Sequence, residues 1–318
     1  MPIFVTGGNG FIGSYVVNKL LADGHQVRCL LRKTSDTKRL EGLPYEAVLG
    51  DVRNFDSVLN GMTGCDGVIH LASLSSWSEL ASPLMHEIVV DGSKNVFTAE
   101  QKLGINRVVF VSSAAATNGT LEPQIQNENS VFTLNPNQLP YSKAKLAVEK
   151  MGYPIITVNP GEVYGPNDWN LITACNLIDF AKSSPVLVCS GGTSVVHVED
   201  VATGIVAALL RGKIGERYIL GGDNLTVRQL AELTLEILGQ KHKKIWQIPN
   251  TALRAAGKVA GALKLPFPIH PNVIPYATRY WMMDNKKAKQ ELGLEFRNAR
   301  ETLEPTLQWL QQEHFISS

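Results

Sequence analysis

The stretch that most constrains the fold lies at the start of the chain, Pro2-Ile3-Phe4-Val5-Thr6-Gly7-Gly8-Asn9-Gly10-Phe11-Ile12-Gly13. Ile3 to Val5 is a short apolar run that reads as a buried strand. The run breaks into Gly7, Gly10 and Gly13, and from Phe11 the apolar spacing turns helical, with Ile12, Val16, Leu20 and Leu21 on one face. Strand, glycine turn and helix in that order is the setting of a dinucleotide-binding fingerprint. Gly7 permits the tight turn, Gly10 lets backbone approach a pyrophosphate, and Gly13 lets the helix pack closely on the strand. The helix's unpaired N–H groups and positive end then face the phosphates.

A chain of 318 residues suits one large α/β unit or such a unit with a smaller partner. The net charge of +1, with both signs well mixed, provides no basic field for nucleic acid. Cys29, Cys65, Cys175 and Cys189 are scattered without metal-ligand spacing and read as small core residues in a reducing compartment. No metal is expected. No apolar run approaches membrane-spanning length. The chain enters its first strand at once, which leaves no room for a signal peptide and points to the cytoplasm.

Further along, strands alternate with helices, which predicts a parallel, doubly wound sheet. The second strand, Val27 to Leu31, ends in Arg32-Lys33-Thr34-Ser35, with Lys38 and Arg39 nearby and Asp36 as the first acid. An acid at this point takes a ribose 2′-hydroxyl, whereas an arginine accommodates a 2′-phosphate, so NADP is favoured over NAD. A solvated basic loop reads the same way. The third strand ends at Leu49 and runs into Gly50-Asp51-Val52, where Asp51 can meet an adenine amino group or simply start a turn. The fourth strand ends in Leu71-Ala72-Ser73, small enough for a cofactor to lie against the backbone.

The fifth strand, Arg107 to Val111, ends in Ser112-Ser113, and Tyr141-Ser142-Lys143-Ala144-Lys145 opens a later helix. Tyr141 and Lys145, four residues apart, share one helical face. A free phenol titrates near pH 10 and is a poor acid–base group at neutrality. An ammonium about 4 Å away is worth on the order of 4 kcal/mol at an effective dielectric of 20. That predicts a Tyr141 phenol pulled down by about three pH units. Ser113 can hold a carbonyl oxygen beside it.

Taken together, these motifs resemble the extended short-chain dehydrogenases/reductases. The resemblance rests on Thr6 to Gly13, Asp51-Val52, Leu71-Ala72-Ser73, Val111-Ser112-Ser113-Ala114, Tyr141 to Lys145, and Asn159-Pro160-Gly161-Glu162-Val163-Tyr164-Gly165-Pro166. Later stretches, Gly165 to Asn170, Tyr218 to Thr226, and Asp284 through Gly293, resemble the dihydroflavonol 4-reductase-like, 3β-hydroxysteroid dehydrogenase-like and hopanoid-associated sugar epimerase branch. The resemblance implies a Rossmann sheet with a smaller, discontinuous C-terminal substrate domain. It also implies Ser113 orienting the substrate carbonyl, Tyr141 passing the proton, and Lys145 binding nicotinamide ribose and lowering the tyrosine's pKa. Cofactor contacts carry over onto Gly7, Gly10, Phe11, Ile12, Gly13, Arg32, Asp51, Val52, Leu71, Ala72, Ser73, Ser112, Tyr141, Lys145, Pro160, Gly161 and Val163. Pro160 and Gly161 are expected against the nicotinamide ring.

Two features depart from the family pattern. Val89 stands where the family's Asn-Val-x-Gly-Thr motif has its asparagine, and only nine residues lie between Lys145 and Ile155. A helix over 141–151 spans roughly 16 Å, barely enough to recross a sheet; the pattern admits a shifted catalytic helix, which would also disturb the two-helix surface through which the family dimerises. Residues 1–165, with 196–222 returning to them, read as the cofactor domain; 166–195 and 223–318 read as the substrate domain. Trp77, Trp169 and Arg279 are candidate substrate contacts, with Tyr280 and Trp281 as further pocket aromatics; ordinary core is the competing reading. His197 and Asp200, beside a helix start, read as structural.

The leading expectation is NADPH-dependent reduction of a ketone or aldehyde on a small apolar or aromatic molecule. A nucleotide-sugar epimerase or dehydratase retaining NAD is the alternative, and a non-catalytic cofactor sensor comes third. The chain is expected as a monomer or homodimer, with no nucleic-acid or membrane partner.

Overall fold

The computed structural model describes residues 1–74, 76, 79–80, 82–263 and 272–317, and side chains for all of these except 260–263. The first part of the chain alternates as expected: β1 (Pro2–Thr6), α1 (Phe11–Ala22), β2 (Gln26–Leu31), β3 (Glu46–Leu49), α2 (Phe55–Met62) and β4 (Gly67–His70). There follow α3 (Gly92–Leu103), β5 (Val108–Val111), α4 (Pro140–Glu149), β6 (Ile156–Pro160), α5 (Val198–Arg211) and β7 (Arg217–Leu220). All seven strands pair in parallel in the order β7-β6-β5-β4-β1-β2-β3. This is the doubly wound Rossmann arrangement.

The apolar runs of β4 and β5 are buried at every position because helices cover both faces of the sheet. One face packs on α1 and α5 through Val16, Val17, Leu20, Val201 and Ile205. The other packs on α2, α3 and α4 through Val58, Met62, Val96, Phe97, Ala144 and Val148. Fully burying each of the larger of these side chains stabilises by about 1.5–3 kcal/mol. The chain winds outward from β1 through β2 to β3, then crosses to β4 on the other side. That reversal opens a crevice at the carboxyl ends of β1 and β4.

Five further strands build a second sheet around Gly192–His197, and Val186–Val188 pairs in parallel with Ile245–Gln247 in a separate two-stranded sheet. The Gly192–His197 strand runs parallel to Glu162–Tyr164 and Tyr280–Met283 and antiparallel to Asp223–Thr226, while Met282 and Met283 pair with Ile125 and Gln126. Tyr280 and Trp281 thus belong to a strand, which local pattern did not reveal because its partners, Gly192 and Thr193, lie far away along the chain. A helix over Ala174–Lys182 follows Leu171, which itself takes a left-handed backbone with φ 50°. Thr226 and Gln229 form a capping box at the start of the Val227–Ile237 helix. His197 caps α5 and, with Asp200, accepts from Arg297 at 2.8 and 2.7 Å, a structural arrangement.

Among the described residues no group of three or more potential metal ligands occurs, and no helix is long and apolar enough to cross a membrane.

Candidate active site

The glycine turn has the tightness its sequence implied. Gly7 has φ 72°, and Gly10 N–H donates to Gly7 O at 3.0 Å. A Cβ on Gly13 would stand 2.0 Å from Gly7 O, and one on Gly7 would stand 2.8 Å from Ala72 N. Gly10 is the N-cap of α1 and supplies no side-chain acceptor, which leaves the first-turn N–H groups available to an anion. Across the crevice, Ser73 Oγ is buried without a partner. A glycine floor that tolerates no Cβ, a bare helix end and an orphaned hydroxyl together fit a dinucleotide. Phe11 and Ile12 pack partly buried on the core beneath, and Val52 and Val163 are fully in it.

A buried chain of hydrogen bonds holds this floor. Ala72 N–H donates to Thr6 Oγ1 at 3.2 Å, and Thr6 Oγ1 meets His70 Nδ1 at 2.6 Å. His70 Nε2 meets Ser93 Oγ at 2.9 Å, and Ser93 Oγ donates to Val89 O at 2.5 Å. The last bond commits Ser93's proton, so Nε2 must carry the imidazole hydrogen and Nδ1 must accept from Thr6. Burial pushes His70 down to about 3, with Lys145 adding to the effect. The unfolded chain takes up a proton near pH 6.5 that the folded protein refuses until about pH 3. Native stability is therefore whole above pH 6.5 and falls as pH drops below it, by up to roughly 5 kcal/mol. Urea melts of a His70→Gln variant should lose much of this acid sensitivity; an unchanged slope between pH 4 and 6.5 would assign it to other groups.

Val89 lies in a π-helical turn, His86–Asp91, that leads into α3, and its side chain is wholly buried. No polar side chain occupies the motif's asparagine position. The shortened helix α4 ends at Glu149 and leaves Tyr141 and Lys145 at the carboxyl end of β5, so the missing length is taken from its far end.

At that end the three predicted catalytic side chains come together. Ser113 faces the Tyr141 phenol closely enough to draw its pKa down, and Ser113 Oγ accepts from Ala115 N at 3.1 Å. Lys145 Nζ donates to Val111 O at 2.9 Å and lies 5.8 Å from the Tyr141 ring centre and 5.0 Å from that of Phe110. The expected effect of Lys145 on the phenol is not what the surroundings produce. Burial pushes Tyr141 up to about 12, against the pull of Ser113. Burial also pushes Lys145 down to about 8. Desolvation dominates because both groups sit in the same dry site.

Other expected contacts are placed as follows. Ser112 turns its hydroxyl to Glu149 at 2.5 Å. A Cβ on Gly161 would meet Ser194 O at 2.4 Å, so the second sheet itself demands that glycine. Pro160 ends β6 beside it. Asp51 is committed to Arg53, at 2.8 Å, which with Arg32's charge holds its carboxyl below the usual range. Arg32 is exposed at the end of β2. Arg39 folds back to Asn167 O at 3.0 Å and Asn9 O at 3.4 Å, and its Nη2 is buried without a partner. Trp169 packs on Trp309 and Phe315 and lies under Lys38, so its contacts are with the C-terminal helix and the basic cluster, not with Tyr141. Trp77 lies outside the described residues.

Sequence reading missed Tyr276. Its hydroxyl accepts from Tyr141 N at 3.1 Å and Ser142 N at 3.4 Å, capping α4, and its ring stacks on Trp281. Arg279, one turn on, places its charge near that hydroxyl. A contact across 135 residues leaves no local signal.

Residues 3–221 match the NAD dependent epimerase/dehydratase family. The chain belongs to that family. It is an NAD(P)-dependent oxidoreductase of the short-chain dehydrogenase/reductase type. Its relatives include a Synechocystis sp. protein named "Putative dihydroflavonol 4-reductase", 30% identical, with 99% of this chain and 96% of the relative covered. Cinnamoyl-CoA reductase 1 of Oryza sativa subsp. japonica is also 30% identical, over 98% of this chain and 90% of its own. The crystal structure of a DesIV double mutant, a dTDP-glucose 4,6-dehydratase from Streptomyces venezuelae with NAD bound, shares the fold. Its TM-score is 0.77 at 22% identity, over 99% of this chain and 98% of its own.

Proposed function

We propose that this epimerase/dehydratase-family protein reduces a ketone or aldehyde on a small apolar or aromatic molecule, using NADPH, in the cytoplasm. The observation that carries the reading is the Tyr141 phenol facing Ser113 and kept protonated by burial, on one helical face with Lys145. A protonated phenol is the form that reduction needs. Bound nicotinamide supplies the hydride. Ser113 and Tyr141 hold the carbonyl oxygen, and Tyr141 gives it the proton as charge develops. Lys145 places a positive charge on the same helical face as the phenol and would bind the nicotinamide ribose. The reductase names of two relatives support this direction.

NADPH is preferred because the β2 end carries Arg32 and Lys33, with Arg39's free Nη2 close by. The nearest acid, Asp36, is taken by Lys38 N at 2.9 Å. Arg32→Ala should weaken NADPH binding about 10- to 100-fold, as expected for loss of a charge-assisted hydrogen bond, and leave NADH binding unchanged. Equal losses for both cofactors would remove the 2′-phosphate assignment. The direct test compares NADPH and NADH consumption with a panel of carbonyl compounds.

A second reading, a nucleotide-sugar epimerase or dehydratase, is favoured by one feature. Arg279 and Arg254 stand together without a carboxylate partner among the described residues, and Arg279 Nε is buried and unpaired. NAD that survives purification, with no net turnover of added cofactor, would select it.

A further inference from the structure

We propose that Glu149 is a positioning residue of this site, fixing the strand end that carries Ser113 and giving Lys145 its counter-charge. The inference rests on the Ser113–Tyr141–Lys145 reading above. Tyr141, Lys145 and Glu149 follow one another at intervals of four, so all three lie along one face of α4. Glu149 is the last residue of that helix, where the helix dipole disfavours a carboxylate. Its side chain is only 5% exposed. A buried acid at an unfavourable helix end persists only if other groups hold it.

Three strands do so. From β5, Ser112 Oγ donates to Oε1 at 2.5 Å, and from β6, Asn159 Nδ2 donates to the same oxygen at 2.9 Å. From β7, Arg217 Nη2 donates to Oε2. Asn159 Nδ2 also reaches Ser113 O at 2.8 Å, so the carboxylate is one bond removed from the backbone of the serine. Lys145 grips the same strand one residue earlier, at Val111 O. The two charged side chains of α4 therefore clamp residues 111–113 between them, and the Ser113 hydroxyl takes its position from that clamp.

Glu149 also opposes the burial that strips Lys145 of its proton. The other groups facing the ammonium are the Phe110 and Tyr141 rings, the Val111 carbonyl and neutral His70. Among these, Glu149 is the one negative charge acting on it.

The experiment compares wild type, Glu149→Gln, Asn159→Ala and Tyr141→Phe. Lysine labelled with carbon-13 at Cε reports the titration of Lys145, its resonance assigned against Lys145→Arg. NADPH affinity by fluorescence and thermal melts accompany kcat and KM on the carbonyl panel. In Glu149→Gln, the Lys145 midpoint should fall by about one pH unit and kcat by at least tenfold, with NADPH affinity within about threefold. Asn159→Ala keeps the Glu149–Arg217 pair and should lower kcat while leaving the Lys145 midpoint in place. If Glu149→Gln fails to melt cooperatively, Asn159→Ala decides the positioning claim by itself. An unmoved Lys145 midpoint in a folded Glu149→Gln, or an Asn159→Ala with wild-type kcat, overturns the proposal. Full turnover in Tyr141→Phe removes the reductase chemistry instead, and leaves the midpoint shift standing.

Discussion

Tyr141→Phe should lower kcat by about 10²–10⁴-fold, the range associated with a positioned general acid, while NADPH affinity changes by less than about threefold. The phenol's oxygen is the only polar atom that phenylalanine lacks, and the ring keeps its place in the core around Leu139, Tyr276 and Trp281. A loss confined to kcat identifies an interaction made in the transition state. The pH dependence carries a second expectation. Tyr141 keeps its proton up to about 12, so the acid is present throughout the working range. Lys145, pushed down to about 8, is the group that titrates there. Reductive turnover should therefore hold steady from pH 6 to 7 and decline with a midpoint near 8 as the ammonium is lost. Wild-type kcat in Tyr141→Phe, with NADPH bound normally, would remove tyrosine from the chemistry.

Gly13→Ala should cost on the order of 3 kcal/mol or more and abolish cofactor binding. The added methyl would sit 2.0 Å from Gly7 O and 2.9 Å from Gly8 Cα, both backbone atoms that cannot rotate aside. Relief requires α1 to move off β1, which opens the face packed by Val16, Val17 and Leu20. For a chain of this size the melting temperature should fall by about 6 °C or more. Gly24→Ala provides the contrast. Its φ is 81°, but nothing lies within 4 Å of the new methyl, so only backbone strain of about 1–2 kcal/mol is expected, with cofactor affinity retained. Equal melting temperatures for the two variants would show that the close approach at Gly13 is not limiting.

Much of this protein could be read along the chain because the signals are local. Apolar runs of strand length, helices at 3.6-residue spacing and three glycines in a turn record the same alternation that the parallel sheet realises. Tyr141 and Lys145 were legible for the same reason, since a spacing of four puts two side chains on one helical face whatever surrounds them. The Thr226–Gln229 capping box is equally short-range.

What surrounds them was not legible. Spacing predicted a phenol lowered by its lysine, yet the packed site raises it, because desolvation depends on what encloses a charge and not on its distance along the chain. The Thr6–His70–Ser93 chain, the Tyr276 cap and the Glu149–Asn159–Arg217 knot each join residues tens to more than a hundred positions apart. Trp169 read as a pocket aromatic from its composition alone, and packing sent it to the C-terminal helix. The order of residues by itself determined which elements form and which two side chains meet on α4. Tertiary structure alone decided their protonation and their supports, since both follow from burial and from contacts that only the closed fold brings within reach.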